Sequence, residues 1–220
     1  MQGYDITKEQ VETILDKKFI RVFDLQYKEG GHYFDATRRS IDDLAAIKTD
    51  EQFKKMLPDA ASCVVIVKTD GEEDRLLLTY EYRYPAGRFL LGVPAGLVDP
   101  EDQNEEQPLI ATAIREIREE TGITVDLSRD SVSVVNPLLF STPGMTDESN
   151  GLVQVVLRLD NLDEFDQTGG EAVECFDGYE LVTKEKAKEL LKKGMDDHDH
   201  FYSVYTWAAL MHFASGMWEM

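Results

Sequence analysis

Cysteine, long apolar runs and basic charge are all scarce in this sequence, and each shortage removes a class of protein. Cys63 and Cys175 are the two cysteines among 220 residues. They are too few for a disulfide framework and, as isolated thiols, make no zinc site. No apolar stretch approaches the roughly 20 residues that span a bilayer. The start, Met1-Gln2-Gly3-Tyr4-Asp5, has neither the basic nor the apolar region of a secretory signal. A soluble, cytoplasmic protein is therefore expected. Lysine and arginine number 23 against 43 aspartates and glutamates, a net charge of −20. Nucleic acid and anionic membranes both call for a basic footprint, so neither is an expected partner. Also missing are a P-loop, a Rossmann glycine pattern and a nucleophile elbow.

What is present has globular composition, 42% hydrophobic and 30% charged, in a length that suits one large domain or a domain with a small appendage. Residues 5–18 read as a short helix: Thr7 with Gln10 makes a capping-box signal, and Ile6, Val11, Ile14 and Leu15 share a face. Strand-like runs follow at 19–27 and 32–38, joined by Gly30-Gly31 into a hairpin. Further strands are predicted at 63–68, 75–83, 89–93, 131–140, 152–159 and 179–182. Helices are predicted at 108–120, 183–193 and 201–213. In the first, Ile110, Ala113, Ile114 and Ile117 make an apolar stripe and Gly122 supplies the stop. Residues 1–57 then form a helix-and-hairpin subdomain and 58–220 a mixed α/β domain.

The densest chemical signal is Arg115-Glu116-Ile117-Arg118-Glu119-Glu120-Thr121-Gly122-Ile123. On a helix Glu116 and Glu120 lie one turn apart on the same side, with Glu119 beside them. Their mutual repulsion opposes the helix, and Glu119 and Glu120 also meet the negative end of its dipole. A divalent cation reverses the sign of both effects, and magnesium, which takes oxygen ligands and keeps waters and substrate phosphates, suits the cluster. The plain alternative is a solvated face in which Arg115 pairs with Glu119 and Arg118 offsets the remainder.

The surroundings tip the balance. With Gly96 upstream after a strand and Pro94, the segment resembles the Nudix box, G-x5-E-x7-R-E-U-x-E-E-x-G-U with U apolar. Arg115 to Ile123 match its whole second half, but 18 residues (97–114) separate the glycine from the arginine where the pattern has 13. The first glutamate of the box is therefore open: Asp102 fits by counting from the glycine, while Glu105 and Glu106 nearly fit by counting from the arginine. Tyr82-Arg83-Tyr84-Pro85 through Pro94-Ala95-Gly96-Leu97 and the loop Ser141-Thr142-Pro143-Gly144-Met145-Thr146-Asp147-Glu148 are similar to the ADP-ribose pyrophosphatase branch.

The resemblance implies a Nudix-type α/β/α sandwich around a mixed β-sheet, with an N-terminal antiparallel β-hairpin subdomain that helps form a homodimer. It implies Mg²⁺, or Mn²⁺ in its place, held by Glu116, Glu120, Glu119 and the backbone carbonyl of Ala95. Arg115 holds the glutamates, Glu148 is the general base, and Arg83 and Arg88 bind a nucleoside diphosphate substrate. The implied reaction converts ADP-ribose to AMP and ribose 5-phosphate. Another ADP-sugar, a nucleoside triphosphate or FAD is the alternative substrate, and a non-catalytic nucleotide-sensing module the alternative role.

Other features read as structure. His198-Asp199-His200 reads as loop and helix cap rather than a metal site. The acidic run from Asp160 with Gly169-Gly170 lacks the ligand spacing of an EF-hand and reads as a surface loop. Tyr80, Tyr82 and Tyr84 alternate on one strand and read as packing, as do the aromatic residues near the C-terminus.

Overall fold

In the computed structural model, residues 4–162, 165 and 175–220 are described. Most of the acidic run that begins at Asp160 lies outside them. The chain divides into two units, Met1–Asp59 with Leu138–Asn150, and Ala60–Pro137 with Gly151–Met220.

The first unit is built on a three-stranded sheet in the order β1 (Val11–Asp16), β2 (Arg21–Lys28), β3 (Gly31–Thr37), antiparallel throughout. The β2–β3 hairpin turns at Gly30, whose φ of 68° lies in the left-handed region that glycine adopts freely. The helix expected over residues 5–18 is replaced by a 3₁₀ turn, Lys8–Gln10, followed directly by β1. The capping signal was real, since the Thr7 N–H donates to Gln10 Oε1 at 3.0 Å, but it closes one turn only. Val11 and Thr13, β-branched and suited to a pleated surface, then pair opposite Leu25 and Phe23. Phe23, Leu25 and Leu44 form the core of this unit, with Ile6, Val11, Ile41 and Ile47 packed against it. A single helical turn, α1 (Asp50–Phe53), is capped by Thr49, which accepts from the Gln52 N–H.

In the second unit the central sheet runs β10 (Phe176–Val182), β5 (Arg75–Arg83), β4 (Ala60–Lys68), β9 (Ser149–Arg158), β8 (Ser131–Phe140). β6 (Arg88–Gly92) adds to β5, and β7 (Ala95–Leu97) adds antiparallel to β4. β7 was not expected, because three residues of Ala, Gly and Leu carry no alternation to read. The helices are α2 (Pro108–Thr121), α3 (Lys184–Lys193) and α4 (Val204–Ser215). Along β4 the odd-numbered side chains Ala61, Cys63, Val65 and Val67 enter one core, where Leu109, Ala113 and Ile117 of α2 meet Val153, Val155 and Leu157 of β9. The even-numbered Val64 and Ile66 are also fully buried, pointing to the opposite face of the sheet. α4 packs against β4, β5 and β6, and Thr206 Oγ1 donates to the Leu91 carbonyl at 3.0 Å. The unit is thus a mixed α/β layer structure of the expected class. Among the described residues, no helix is long and apolar enough to cross a membrane.

α2 begins with Pro108 at its first position and ends on Gly122, whose left-handed φ of 73° lets its N–H return to the Arg118 carbonyl. Its buried face is turned slightly from the expected stripe. Leu109, Thr112, Ala113, Ile117 and Thr121 are buried, Ile110 and Ile114 only partly so, and the same face carries Glu116 and Glu120 inward.

Candidate functional site

Glu116 and Glu120 sit one helical turn apart on the inward face of α2, and they are 6% and 2% exposed. Burying two like charges costs free energy unless something compensates, so their setting decides what they are for. β7 supplies part of it. The Ala95 N–H donates to Glu120 Oε1 at 2.9 Å, and Gly96 passes so close that a β-carbon there would lie 1.8 Å from Glu116 Oε1. Only a residue without a side chain allows the strand to lie on this carboxylate.

Arg115 supplies the rest. Its Nη1 donates to Glu116 Oε1 at 2.6 Å and to Glu119 Oε2 at 3.0 Å. Its Nη2 donates to the Leu97 carbonyl at 2.8 Å and to Asp102 Oδ2 at 2.9 Å, and its Nε to the same Asp102 oxygen at 3.2 Å. Burial alone would lower the proton affinity of this guanidinium. The hydrogen bonds and charges of Asp102 and Glu116 outweigh that and hold it above its usual range. Asp102 is buried and also accepts from Thr112 Oγ1 at 3.0 Å, so loop and helix are tied through one carboxylate. Of Asp102, Glu105 and Glu106, the three choices the sequence left for the first acidic position, Asp102 is the one shown bonded to Arg115. Thr112 gave no signal in the sequence.

The expected site residues fall in three places. Glu116, Glu119, Glu120, Arg115 and Ala95 come together at the β7–α2 junction. Arg83 and Arg88 are cross-strand partners at the end of the β5–β6 hairpin; Arg83 pairs with Glu81 at 2.5 Å, and Arg88 Nε donates to the Ala86 carbonyl at 3.2 Å. Glu148 belongs to the first unit, half exposed, and accepts from Arg38 Nε at 3.2 Å.

Among the described residues, no group of three His, Cys, Asp or Glu side chains is arranged as a ready-made metal centre. What the junction offers is two buried carboxylates and the backbone of Ala95. This oxygen donor chemistry fits a hard divalent ion that keeps part of its shell for water and phosphate oxygens. Cys63, fully buried beneath, is no rival ligand. Burial first, and then the charges of Glu120 and Glu116, push its thiol well above its usual range, away from thiolate.

The remaining motifs are structural. The His198 and His200 N–H groups both donate to Asp196 Oδ1, and His200 Nδ1 lies 3.1 Å from the Phe89 carbonyl, so the His-Asp-His segment is an organised loop. Tyr82 packs edge-on against Tyr84 and Phe89.

A second polar centre, not anticipated from the sequence, lies within the first unit around Arg39, Asp35, Asp59 and Asp147. Burial, then the neighbouring Asp147 charge, raises the Asp35 carboxyl to about 6, against the lowering effect of the Asp147 N–H and Arg39. The folded state therefore holds this proton more tightly than the unfolded chain. Its contribution to stability is complete below the ordinary carboxylate range and is lost as pH rises through about 6. Asp35→Asn removes that loss, so its melting temperature relative to the unmodified protein should be more favourable at pH 7.5 than at pH 4.5. Thermal melts across that interval check this, and an unchanging difference would sink it.

A sandwich of helices on a mixed sheet, with a carboxylate-bearing helix docked on a glycine strand, defines the class of protein in structural terms. The chain belongs to the Nudix family: the NUDIX domain matches residues 56–205. Proteins of this family act on small nucleotide-derived substrates with a divalent metal such as Mg²⁺. The chain is 38% identical over 89 residues to an uncharacterized Nudix hydrolase of Schizosaccharomyces pombe, a match covering 40% of this chain and 38% of that one. It is 30% identical over 123 residues to an ADP-ribose pyrophosphatase of Saccharomyces cerevisiae, covering 54% and 49%. The chain thus spans less than half the length of these curated relatives. A solved structure described as an ADP compounds hydrolase shares the fold, with a TM-score of 0.53 and 17% identity over 94% of this chain and 90% of that one.

Proposed function

We propose that this protein hydrolyses a nucleoside diphosphate joined to another moiety, with ADP-ribose, cleaved to AMP and ribose 5-phosphate, as the leading substrate. The observation that carries this reading is the pair of buried glutamates on α2, packed against Gly96 and tied by Arg115 to Asp102. Such a concentration of negative charge in the interior calls for a cation, and a diphosphate is a ligand that a cation brings to an acidic protein. The Saccharomyces cerevisiae relative, an ADP-ribose pyrophosphatase, supports the choice of substrate.

In this reading Glu116, Glu120 and the Ala95 carbonyl hold Mg²⁺, or Mn²⁺, with Glu119 as a further ligand or as the carboxylate that positions water. An ion held there would supply charge neutralisation at the diphosphate and Lewis acidity toward the attacking water. Arg115 fixes the direction of the glutamates, acting through them rather than on substrate. Glu148 accepts the proton of the attacking water as its oxygen adds to phosphorus and the bridging P–O bond breaks. Arg83 and Arg88 face the charge of the diphosphate or the terminal ribose. The protein acts in the cytoplasm as a homodimer; the exposed Ile14, Phe19, Ile20 and Phe34 of the first unit support a subunit contact there.

The test is product release from ADP-ribose, other ADP-sugars, FAD, dinucleoside polyphosphates and nucleoside triphosphates, each with and without Mg²⁺. Turnover of ADP-ribose or an ADP-sugar that chelation abolishes is the expected result. Failure to cleave any diphosphate would overturn the reading.

A further inference from the structure

Within the first unit the loop that carries Glu148 is bonded residue by residue along β3 and its continuation. Tyr33 donates through its hydroxyl to the Gly144 carbonyl at 2.6 Å, and the Ala36 N–H to the Met145 carbonyl at 3.1 Å. Three consecutive residues then answer three others. Thr37 Oγ1 donates to Asp147 Oδ1, Arg38 Nε to Glu148 Oε1, and Arg39 Nη2 to Ser149 Oγ, at 2.5, 3.2 and 3.2 Å. The residues on either side of Glu148 are anchored more deeply still. Asp147 accepts from the Ala45 N–H at 2.9 Å, and its own N–H donates to Asp35 at 3.1 Å. The Ser149 N–H and hydroxyl both donate to Asp59 Oδ2, at 2.9 and 3.1 Å, and the Asp59 N–H returns to the Ser149 carbonyl at 2.9 Å.

Arg39 is the hub. It is 8% exposed, and its Nη2 reaches Asp59 Oδ2 at 3.0 Å, the Leu57 carbonyl at 3.1 Å and Ser149. Its Nη1 reaches Asp43 at 3.1 Å, and its Nε lies 3.7 Å from Asp147 Oδ2. A buried guanidinium shared among several carboxylates is costly to build and rigid once complete, and here it converges on the two neighbours of one exposed glutamate. The side chain of Glu148 is 39% exposed, whereas those of Asp147 and Asp59 are 10% and 9% and Ser149 is fully buried.

We propose that Arg39 is a positioning residue for Glu148: through Asp147, Asp59 and Ser149 it fixes the backbone on both sides of the proton acceptor without touching substrate. This rests on the reading of Glu148 as that acceptor. A lysine at position 39 keeps the charge but not the fork, so it cannot hold Asp59, Asp43 and Ser149 together.

The test is a double-mutant cycle on the 220-residue chain with ADP-ribose and Mg²⁺. Glu148→Gln should lower kcat about 10² to 10⁴-fold, the usual range for a general base. Arg39→Lys should lower kcat about tenfold or more with KM nearly unchanged, as expected for a misplaced group. Ser149→Ala should act in the same direction by less. The deciding observation is that Arg39→Lys has no further effect once Glu148 is Gln. Independent, multiplying effects of the two substitutions, or an unchanged kcat in Arg39→Lys, would overturn the proposal. Full activity in Glu148→Gln would instead remove the acceptor role and the positioning role with it. If Arg39→Lys does not fold, Ser149→Ala carries the same cycle.

Discussion

Replacing Glu120 by Gln is expected to reduce hydrolysis about 10² to 10³-fold, or more, while leaving the folded protein as stable as before or more so. Glu120 is 2% exposed and accepts the Ala95 N–H, a bond that the amide oxygen of Gln can keep. Only the charge is lost. In the metal-free protein that charge sits buried beside Glu116, so removing it relieves repulsion instead of breaking support. With Mg²⁺ the balance reverses, because an ion that binds only the native state stabilises it, by an amount that grows with the logarithm of its concentration above the dissociation constant. The unmodified protein should therefore melt higher when Mg²⁺ is added, and Glu120→Gln should not. Product release and paired melts with and without Mg²⁺ measure both halves. Full activity, or an undiminished response to the ion, would refute the assignment of Glu120.

Gly96→Ala should be nearly as damaging, for a steric reason. The added methyl would lie 1.8 Å from Glu116 Oε1, 2.0 Å from its Cδ and 2.4 Å from Oε2. Glu116 cannot swing aside freely, since it is 6% exposed and its Oε1 is held by Arg115 at 2.6 Å. Either the carboxylate or β7 must move. Displacing a reacting group by an ångström typically costs about 10²-fold in rate, and overpacking about 1–3 kcal/mol in stability. Gly92→Ala is the control, because its nearest atom, the Thr79 carbonyl oxygen, is 3.7 Å away, an ordinary contact. Activity in Gly96→Ala equal to that in Gly92→Ala would contradict the packing described here.

The two substitutions also show what a sequence can and cannot convey. α2 and its glutamates were legible because helix periodicity converts fixed spacing into shared direction. Glu116 and Glu120 had to lie together wherever the helix went. The same logic misplaced β1, where Ile6, Val11, Ile14 and Leu15 fit a helical face equally well. The pairing of Val11 with Leu25 decided for strand, and the sequence around residue 11 holds no trace of that partner. The Arg39 centre was invisible for a similar reason, its bonds to Asp59 and Ser149 joining residues 20 and 110 positions apart. Position 102 is an intermediate case. The candidate was on a short list, and the choice required seeing which carboxylate reached Arg115.

That choice has a consequence for the loop itself. The interval from Gly96 to Asp102 is the one the family pattern specifies, so the extra residues fall between Asp102 and Pro108. There the chain leaves a 3₁₀ turn, Asp102–Asn104, and enters α2 without adding to the bonds of Arg115. Gln103 and Asn104 bond back to the Val98 and Pro100 carbonyls and Gln107 stands at the N-cap of α2, so the exposed pair Glu105-Glu106 is the span between two fixed posts. It is the natural place to graft a fluorophore or a short tag, reporting on the junction from a few residues away while leaving its fittings alone.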